Sequence, residues 1–340
     1  MIYSYARAKE LTKKLVSLQI PVLLNGGSGI GKTALVNEVA LELGLPLIDV
    51  RLAHELPENV GGIPKVLENS SFFEKVLNVD FVPLFTSGAV LFFDELNRSH
   101  SWTRNSVMSV FFERLLGGKK LAPNTVVVGA VNTGEEYKDA DSLDFAMLAR
   151  FAVINLEPSV DDLVAYFKKK YPLASALFIP KADQIYNLLH LFYEKVSPVA
   201  TPRTVEYALK IIETYHNTED RETLRDLVYC VLPGNVADLL LSEIDFTLIK
   251  KIINGEKVSL EEIENPTILL AVLSNYPFEN GQQLLNAILF AKKAYKSLEV
   301  EDTFVGFLKN VARNNPKLFT DIYPTVEKEI PSLSEFLSSF

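Results

Sequence analysis

Apolar residues recur at helical spacing from Ser4 to Leu18 around Lys9, Lys13 and Lys14, and Pro21 then bars a helix from running into Val22-Leu23-Leu24. A helix followed by a strand is expected. Lys32 to Leu43 reads as a second helix closed by Gly44, and Pro46 to Val50 as a second short strand. Leu52 to Ser87 is less regular. It holds Gly61-Gly62-Ile63-Pro64 and an aromatic-rich segment, Phe72 to Phe85, whose spacing predicts a helix, and it has the character of an insertion.

Two runs rich in Val and Phe, Ala89 to Phe93 and Thr125 to Val131, read as buried parallel strands, with a helix from Thr103 to Leu116 between them. Phe151 to Leu156 completes five strands alternating with helices, which predicts a doubly wound α/β layer around a parallel sheet. Beyond Pro158 the pattern is helical only: Asp161 to Lys170, Ala182 to Val196, Thr204 to His216, Arg221 to Leu232 and several more. A boundary near Glu157 follows. The expected organisation is an α/β domain over 1–157, an all-α lid over 158–220 and a helical extension over 221–340.

Composition narrows the class. With 340 residues, 48% of them apolar, the chain can bury a sizeable core, and charged residues (23%) of both signs are interspersed along it. A net charge of −9, from 34 basic and 43 acidic side chains, argues against a surface built to neutralise a phosphate backbone. Cys230, the single cysteine, excludes intrachain disulfides and is expected to be a small buried hydrophobe. No apolar run reaches the roughly eighteen residues of a membrane span, so a cytoplasmic protein with no membrane partner is expected.

The chemistry lies in the first half. Gly26-Gly27-Ser28-Gly29-Ile30-Gly31-Lys32-Thr33 follows a strand and opens a helix, the context a phosphate-binding loop requires. Its glycines let backbone N–H groups wrap phosphate, Lys32 reaches the β and γ phosphates, and Thr33 offers a hydroxyl to Mg²⁺ at the positive end of a helix dipole. Leu91-Phe92-Phe93-Asp94-Glu95 gains meaning beside that loop: Asp94 would hold Mg²⁺ through its water shell, and Glu95 would orient and polarise the attacking water. Asn132 ends the next strand, where ligands of open α/β sheets bind, although Asn-Thr-Gly suits an ordinary turn as well. His54, His100, His190 and His216 have no ligand spacing. Lys168-Lys169-Lys170 complements a helix C-terminus.

In order, GGSGIGKT, VLFFDELNR, VVVGAVNTG, LDFAMLARF and SPVATPRT resemble the AAA+ ATPases, specifically the MoxR-like group of the dynein-related subfamily, over about Ile20 to His216. The resemblance implies a ring, a hexamer, with ATP between subunits. Asn132 would sense the γ-phosphate, Arg150 would reach the neighbour's nucleotide as a finger, and Arg203 would be the second sensor of the lid. Taken alone, Arg150 suits a helix C-terminus equally well, and a solvated first-turn arginine is the lesser alternative for Arg203. Arg98 of the DELNR sequence would lie near the subunit interface, and Leu56 to Pro64 and Leu116 to Leu121 would face the pore. The segment Gly134-Glu135-Glu136-Tyr137 lacks the proline often found there, and the chain beyond Arg221 matches weakly. The implied activity is Mg²⁺-dependent ATP hydrolysis that remodels a protein client, with a von Willebrand factor A domain protein as a partner of the group. A nucleic-acid motor, loader or restriction-type NTPase, encouraged only by Lys119 and Lys120, and an assembly switch with little turnover are the alternatives.

Overall fold

The computed structural model describes all residues other than 69–70, 133–142, 144, 190–197, 217–220, 242–245, 261–262, 264, 299–300, 332 and 334–340. The chain divides into two compact units, Met1–Asp162 and Leu163–Phe340.

In the first unit, β1 (Ile2–Tyr3) leads into α1 (Tyr5–Ser17), β2 (Val22–Gly26), α2 (Lys32–Leu43) and β3 (Leu47–Arg51). A hairpin of β4 (Ile63–Val66) and β5 (Phe73–Val76) follows, then β6 (Val90–Asp94). A second, tighter hairpin of β7 (Leu115–Leu116) and β8 (Lys119–Lys120) precedes β9 (Val126–Asn132) and β10 (Ala152–Leu156). The central sheet runs β1-β10-β2-β9-β6-β3 with all neighbours parallel. The five predicted strands are present; the sixth, β1, pairs Ile2 and Tyr3 with Asn155 and Leu156.

Side chains alternate across this sheet with period two. Val22, Leu24, Val90, Phe92, Val126 and Val128 pack with Leu35, Val36 and Val39 of α2 and with Ala8 and Val16 of α1. Leu23, Leu91, Phe93, Val127 and Val131 face the other way and pack with Phe81, Leu84, Val107 and Phe111. Both faces are covered, which explains the near-continuous apolar strands. Gly44 ends α2 in the left-handed region (φ 66), its N–H reaching the carbonyls of Ala40 and Leu41.

Two predicted helices are corrected. The segment Phe72 to Phe85 contains strand β5, a 3-10 turn at Val79–Phe81 and a short helix at Val82–Phe85. Phe72, Val76 and Val79 are helically spaced, but all three are exposed, so no core stands behind that period. Thr103 to Leu116 is a broken element, Ser101–Ser106 and Met108–Glu113, interrupted at Val107 and terminated by Arg114 in the left-handed region (φ 58). On the first of these pieces stands Trp102, the single tryptophan, 80% exposed.

The second unit is helical throughout its described residues. Phe167 and Phe178 meet edge to face at 5.1 Å in its core. Glu206 accepts from the hydroxyls of Tyr166 and Tyr171 and from Lys170, and Glu213 accepts from the Ala174 N–H (2.7 Å) at the start of Pro172–Phe178. Lys168 donates to Asn314 at 2.7 Å, and burial pulls its ammonium below the usual range, while Lys169 is exposed. Cys230 is exposed, contrary to the buried position expected. His190 and residues 134–137 lie outside the described residues, as does the predicted Ala182–Val196 helix from residue 190 onward; Ala182–Asn187 is helical. Among the described residues no helix is long and apolar enough to cross a membrane.

Candidate nucleotide site

The sheet brings the C-terminal ends of β2, β9 and β6 side by side. Gly26 is in register with Asn132, and β6, which ends in Asp94, lies on the far side of β9. This edge of an open parallel sheet is where backbone groups and strand-end side chains converge on a ligand.

The loop from Gly26 to Lys32 is shaped by close approach. A Cβ on Gly26 would stand 2.4 Å from Ile30 Cδ1 and 2.5 Å from the Leu156 carbonyl oxygen, so only glycine fits between β10 and the loop. Gly31 caps α2 with φ 99, which exposes the first N–H groups of the helix toward the loop. Lys32 is buried, and its Nζ donates to the carbonyls of Gly26 (2.8 Å) and Gly27 (2.7 Å), closing the loop on itself. A buried ammonium requires such partners. Tyr5 braces the outside: its ring lies 3.3 Å from where a Gly31 Cβ would be, its hydroxyl donates to Glu38 at 3.1 Å, and its N–H donates to Asp162 at 3.0 Å.

Thr33 Oγ1 donates to Asp94 Oδ2 at 3.3 Å, which joins the loop to the end of β6. Asp94 Oδ1 accepts the Glu95 N–H at 2.8 Å, and Glu95 turns into the left-handed region (φ 57, ψ 38). Its Oε1 pairs with Arg98 at 3.2 Å; its Oε2 is buried and has no hydrogen-bond partner among the described residues. Burial first, and the charge of Asp94 second, push the Asp49 carboxyl on neighbouring β3 above its ordinary range, although that side chain keeps an exposed edge. The hydroxyl and carboxylate of Thr33 and Asp94 are hard oxygen donors suited to Mg²⁺. Among the described residues no group of three or more His, Cys, Asp or Glu could hold a metal by itself, so remaining oxygens would come from phosphate and water.

Asn132 is buried, and its backbone is gripped by a residue to which sequence reasoning assigned no role. Asn97 Nδ2 donates to the Asn132 carbonyl at 2.7 Å, and Asn97 Oδ1 accepts the Asn132 N–H at 3.2 Å. The available signal was a polar side chain immediately after the buried Leu96 in a turn following a buried strand. Leu96 itself fills the space above Gly129, whose Cβ would lie 2.5 Å from Leu96 Cδ1.

The structure therefore assembles Gly26 to Thr33, Asp94, Glu95 and Asn132 at one sheet edge. Arg150 is exposed and stacks its guanidinium on Phe112 of its own chain, 3.9 Å from the ring centre. Arg203 belongs to the second unit, exposed in the first turn of helix Pro202–Tyr215, whose N-terminus is closed by reciprocal Thr201 and Thr204 bonds. Of the segments expected to face a pore, Pro57–Gly61 is a short helix leading into β4, and Leu116 to Leu121 spans the β7–β8 turn, with Gly117 (φ 58) and Gly118 (φ 80) at its tip.

Residues 22–159 match the family model of the ATPase family associated with various cellular activities (AAA). Two uncharacterized proteins from strains of Staphylococcus epidermidis are each 27% identical over 158 residues, a match covering 44% of this chain and 59% of each relative. Similar solved structures include a putative ATPase from Cytophaga hutchinsonii (16% identity, 66% of this chain and 68% of that one, TM-score 0.37). NtrX from Brucella abortus in complex with ADP (15% identity, 86% and 64%, TM-score 0.42) and a RuvB mutant from Thermotoga maritima (19%, 86% and 93%, TM-score 0.42) are others.

Proposed function

We propose, from the match of residues 22–159 to the AAA ATPase family model, that the chain is a Mg²⁺-dependent ATP hydrolase of MoxR-like type that works as a hexameric ring and remodels a protein client. The observation that carries this reading is the joining of Lys32, Thr33, Asp94, Glu95 and Asn132 at the ends of three adjacent strands. Lys32 and the loop N–H groups would take the phosphates, Thr33 and Asp94 the cation, and Glu95 the proton of the attacking water. Mg²⁺, when bound, supplies charge neutralisation between the β and γ phosphates. Asn132 would place the water or sense the γ-phosphate, Arg150 would act on the neighbouring subunit's ATP, and Arg203 would complete the site from the lid. Phosphate release from purified protein, with and without Mg²⁺, tests the assignment. Glu95→Gln should bind ATP and lose roughly 10²–10⁴-fold in turnover; wild-type turnover in that variant would exclude the assigned chemistry.

A protein client is favoured by the β4–β5 hairpin. All eight of its paired residues are exposed, and Ile63, Val66, Phe72, Phe73 and Val76 show apolar surface, 75% of Phe72 and 62% of Phe73. Apolar side chains left in water on one hairpin suit an unfolded or partly folded polypeptide. A protein with a von Willebrand factor A domain would be a separate, folded partner of the ring. The nucleic-acid reading rests on Lys119 and Lys120, exposed on β8. Turnover that rises with single- or double-stranded nucleic acid and falls steeply with salt would decide for it.

A further inference from the structure

We propose that Arg98 is a positioning residue for Glu95, tethering one carboxylate oxygen so that the other is kept for the attacking water. The proposal rests on the ATPase reading above and goes beyond it by assigning separate tasks to the two oxygens of one side chain.

The geometry divides them. Oε1 lies 3.2 Å from the Arg98 guanidinium, whereas Oε2 is buried with no hydrogen-bond partner among the described residues. A buried carboxylate oxygen is costly to leave unmatched, which disposes Oε2 to accept from an incoming donor. A water delivered to the end of β6 would satisfy it.

The frame around the pair is stiff. Asp94 Oδ1 holds the Glu95 N–H at 2.8 Å, which fixes where the side chain starts. Leu96 to Arg98 then form a 3-10 turn, in which Arg98 N–H donates to the Glu95 carbonyl at 2.9 Å, and a turn of this period sets residue i+3 over residue i. Leu96 anchors the turn in the core, Asn97 anchors it to Asn132, and the Leu96 carbonyl accepts from Ser99 Oγ (2.8 Å) and Arg104 (3.4 Å). What the frame does not fix is the rotation of the Glu95 carboxylate, and Arg98 supplies that restraint. Its side chain is 46% exposed against 20% for that of Glu95. Ion pairs this open to water add little to folding. Its value therefore falls on the reaction.

In the step it serves, the water oxygen bonds to the γ-phosphorus while the bond from that phosphorus to the bridging oxygen breaks, its electron pair remaining on the β-phosphate; the water's proton passes to Glu95 Oε2. Arg98 touches neither water nor phosphate in this scheme. It acts through Glu95 alone.

The test is steady-state phosphate release over an ATP titration for wild type, Arg98→Ala, Arg98→Lys, Glu95→Gln and the Arg98→Ala, Glu95→Gln double variant, with size-exclusion elution in ATP for each. Arg98→Ala should lower kcat about tenfold with KM within about twofold, Arg98→Lys should restore most of it, and the double variant should be no slower than Glu95→Gln, since residues acting as a unit are non-additive. Elution should match wild type. An unchanged kcat in Arg98→Ala, a raised KM with kcat kept, an altered elution, or a full further loss on the Glu95→Gln background each overturns the proposal while leaving the ATPase reading intact. A wild-type protein that releases no phosphate overturns both.

Discussion

Asn97 and Asn132 are joined twice, the side-chain amide of the first giving to and taking from the backbone of the second at 2.7 and 3.2 Å. An amide can donate and accept at once across a backbone N–H and C=O pair, through two different atoms. Asn97→Ala would leave both groups buried and unmatched, with an expected loss of about 2–4 kcal/mol. Urea unfolding measures it. Asn97→Asp should lose nearly as much at neutral pH, because a carboxylate has nothing to donate to the Asn132 carbonyl.

Lys32 closes the loop through the carbonyls of Gly26 and Gly27. Lys32→Ala removes the cation that would neutralise the phosphates as well as that closure, so nucleotide affinity should fall by about 100-fold or more, in line with the loss of a charged hydrogen-bonding group (about 3 kcal/mol). Titration with a fluorescent ATP analogue reads this directly. Affinity within threefold of wild type would remove Lys32 from the site.

Gly26→Ala should destabilise the first unit by about 1–3 kcal/mol, the usual range for overpacking. One of the two clashes is with a backbone oxygen, that of Leu156, which cannot rotate away. Gly44→Ala is the control. It meets nothing within 4 Å, and its cost is confined to the left-handed backbone at φ 66. Thermal melts of the pair should place Gly26→Ala lower.

If Arg150 serves the adjacent subunit, Arg150→Ala and Lys32→Ala proteins, each inactive alone, should regain part of the wild-type turnover when mixed and reassembled. Sound sites then form between the intact loop of one and the intact arginine of the other. Mixtures no more active than their components would place the action of Arg150 within its own chain, where it stacks on Phe112.

The five long strands were readable because both sheet faces are covered, which makes most of them apolar runs, and the Gly26 to Thr33 turn was readable because its glycines answer a steric demand visible at Gly26. β1 was not: two residues carry no period, and its pairing with Asn155 and Leu156 depends on β10, some 150 residues away in the chain. Phe72 to Phe85 misled because the period of its first part, at Phe72, Val76 and Val79, is not backed by burial, whereas Phe81 and Leu84 beyond it are in the core. Between Thr103 and Leu116, Val107, Val110 and Phe111 keep helical spacing across a break that only the backbone at Val107 and Arg114 reveals. Asn97 was hidden because its importance lies in a partner 35 positions on.

Trp102 stands in water a short way past Glu95, and it is the only indole in the chain. The protein thus carries its own optical probe at one known point. Whatever covers Trp102 on the helix Ser101–Ser106, a neighbouring copy or a client without tryptophan, will shift that emission to the blue without a label, provided the red edge of the indole band is excited so that the tyrosines stay dark.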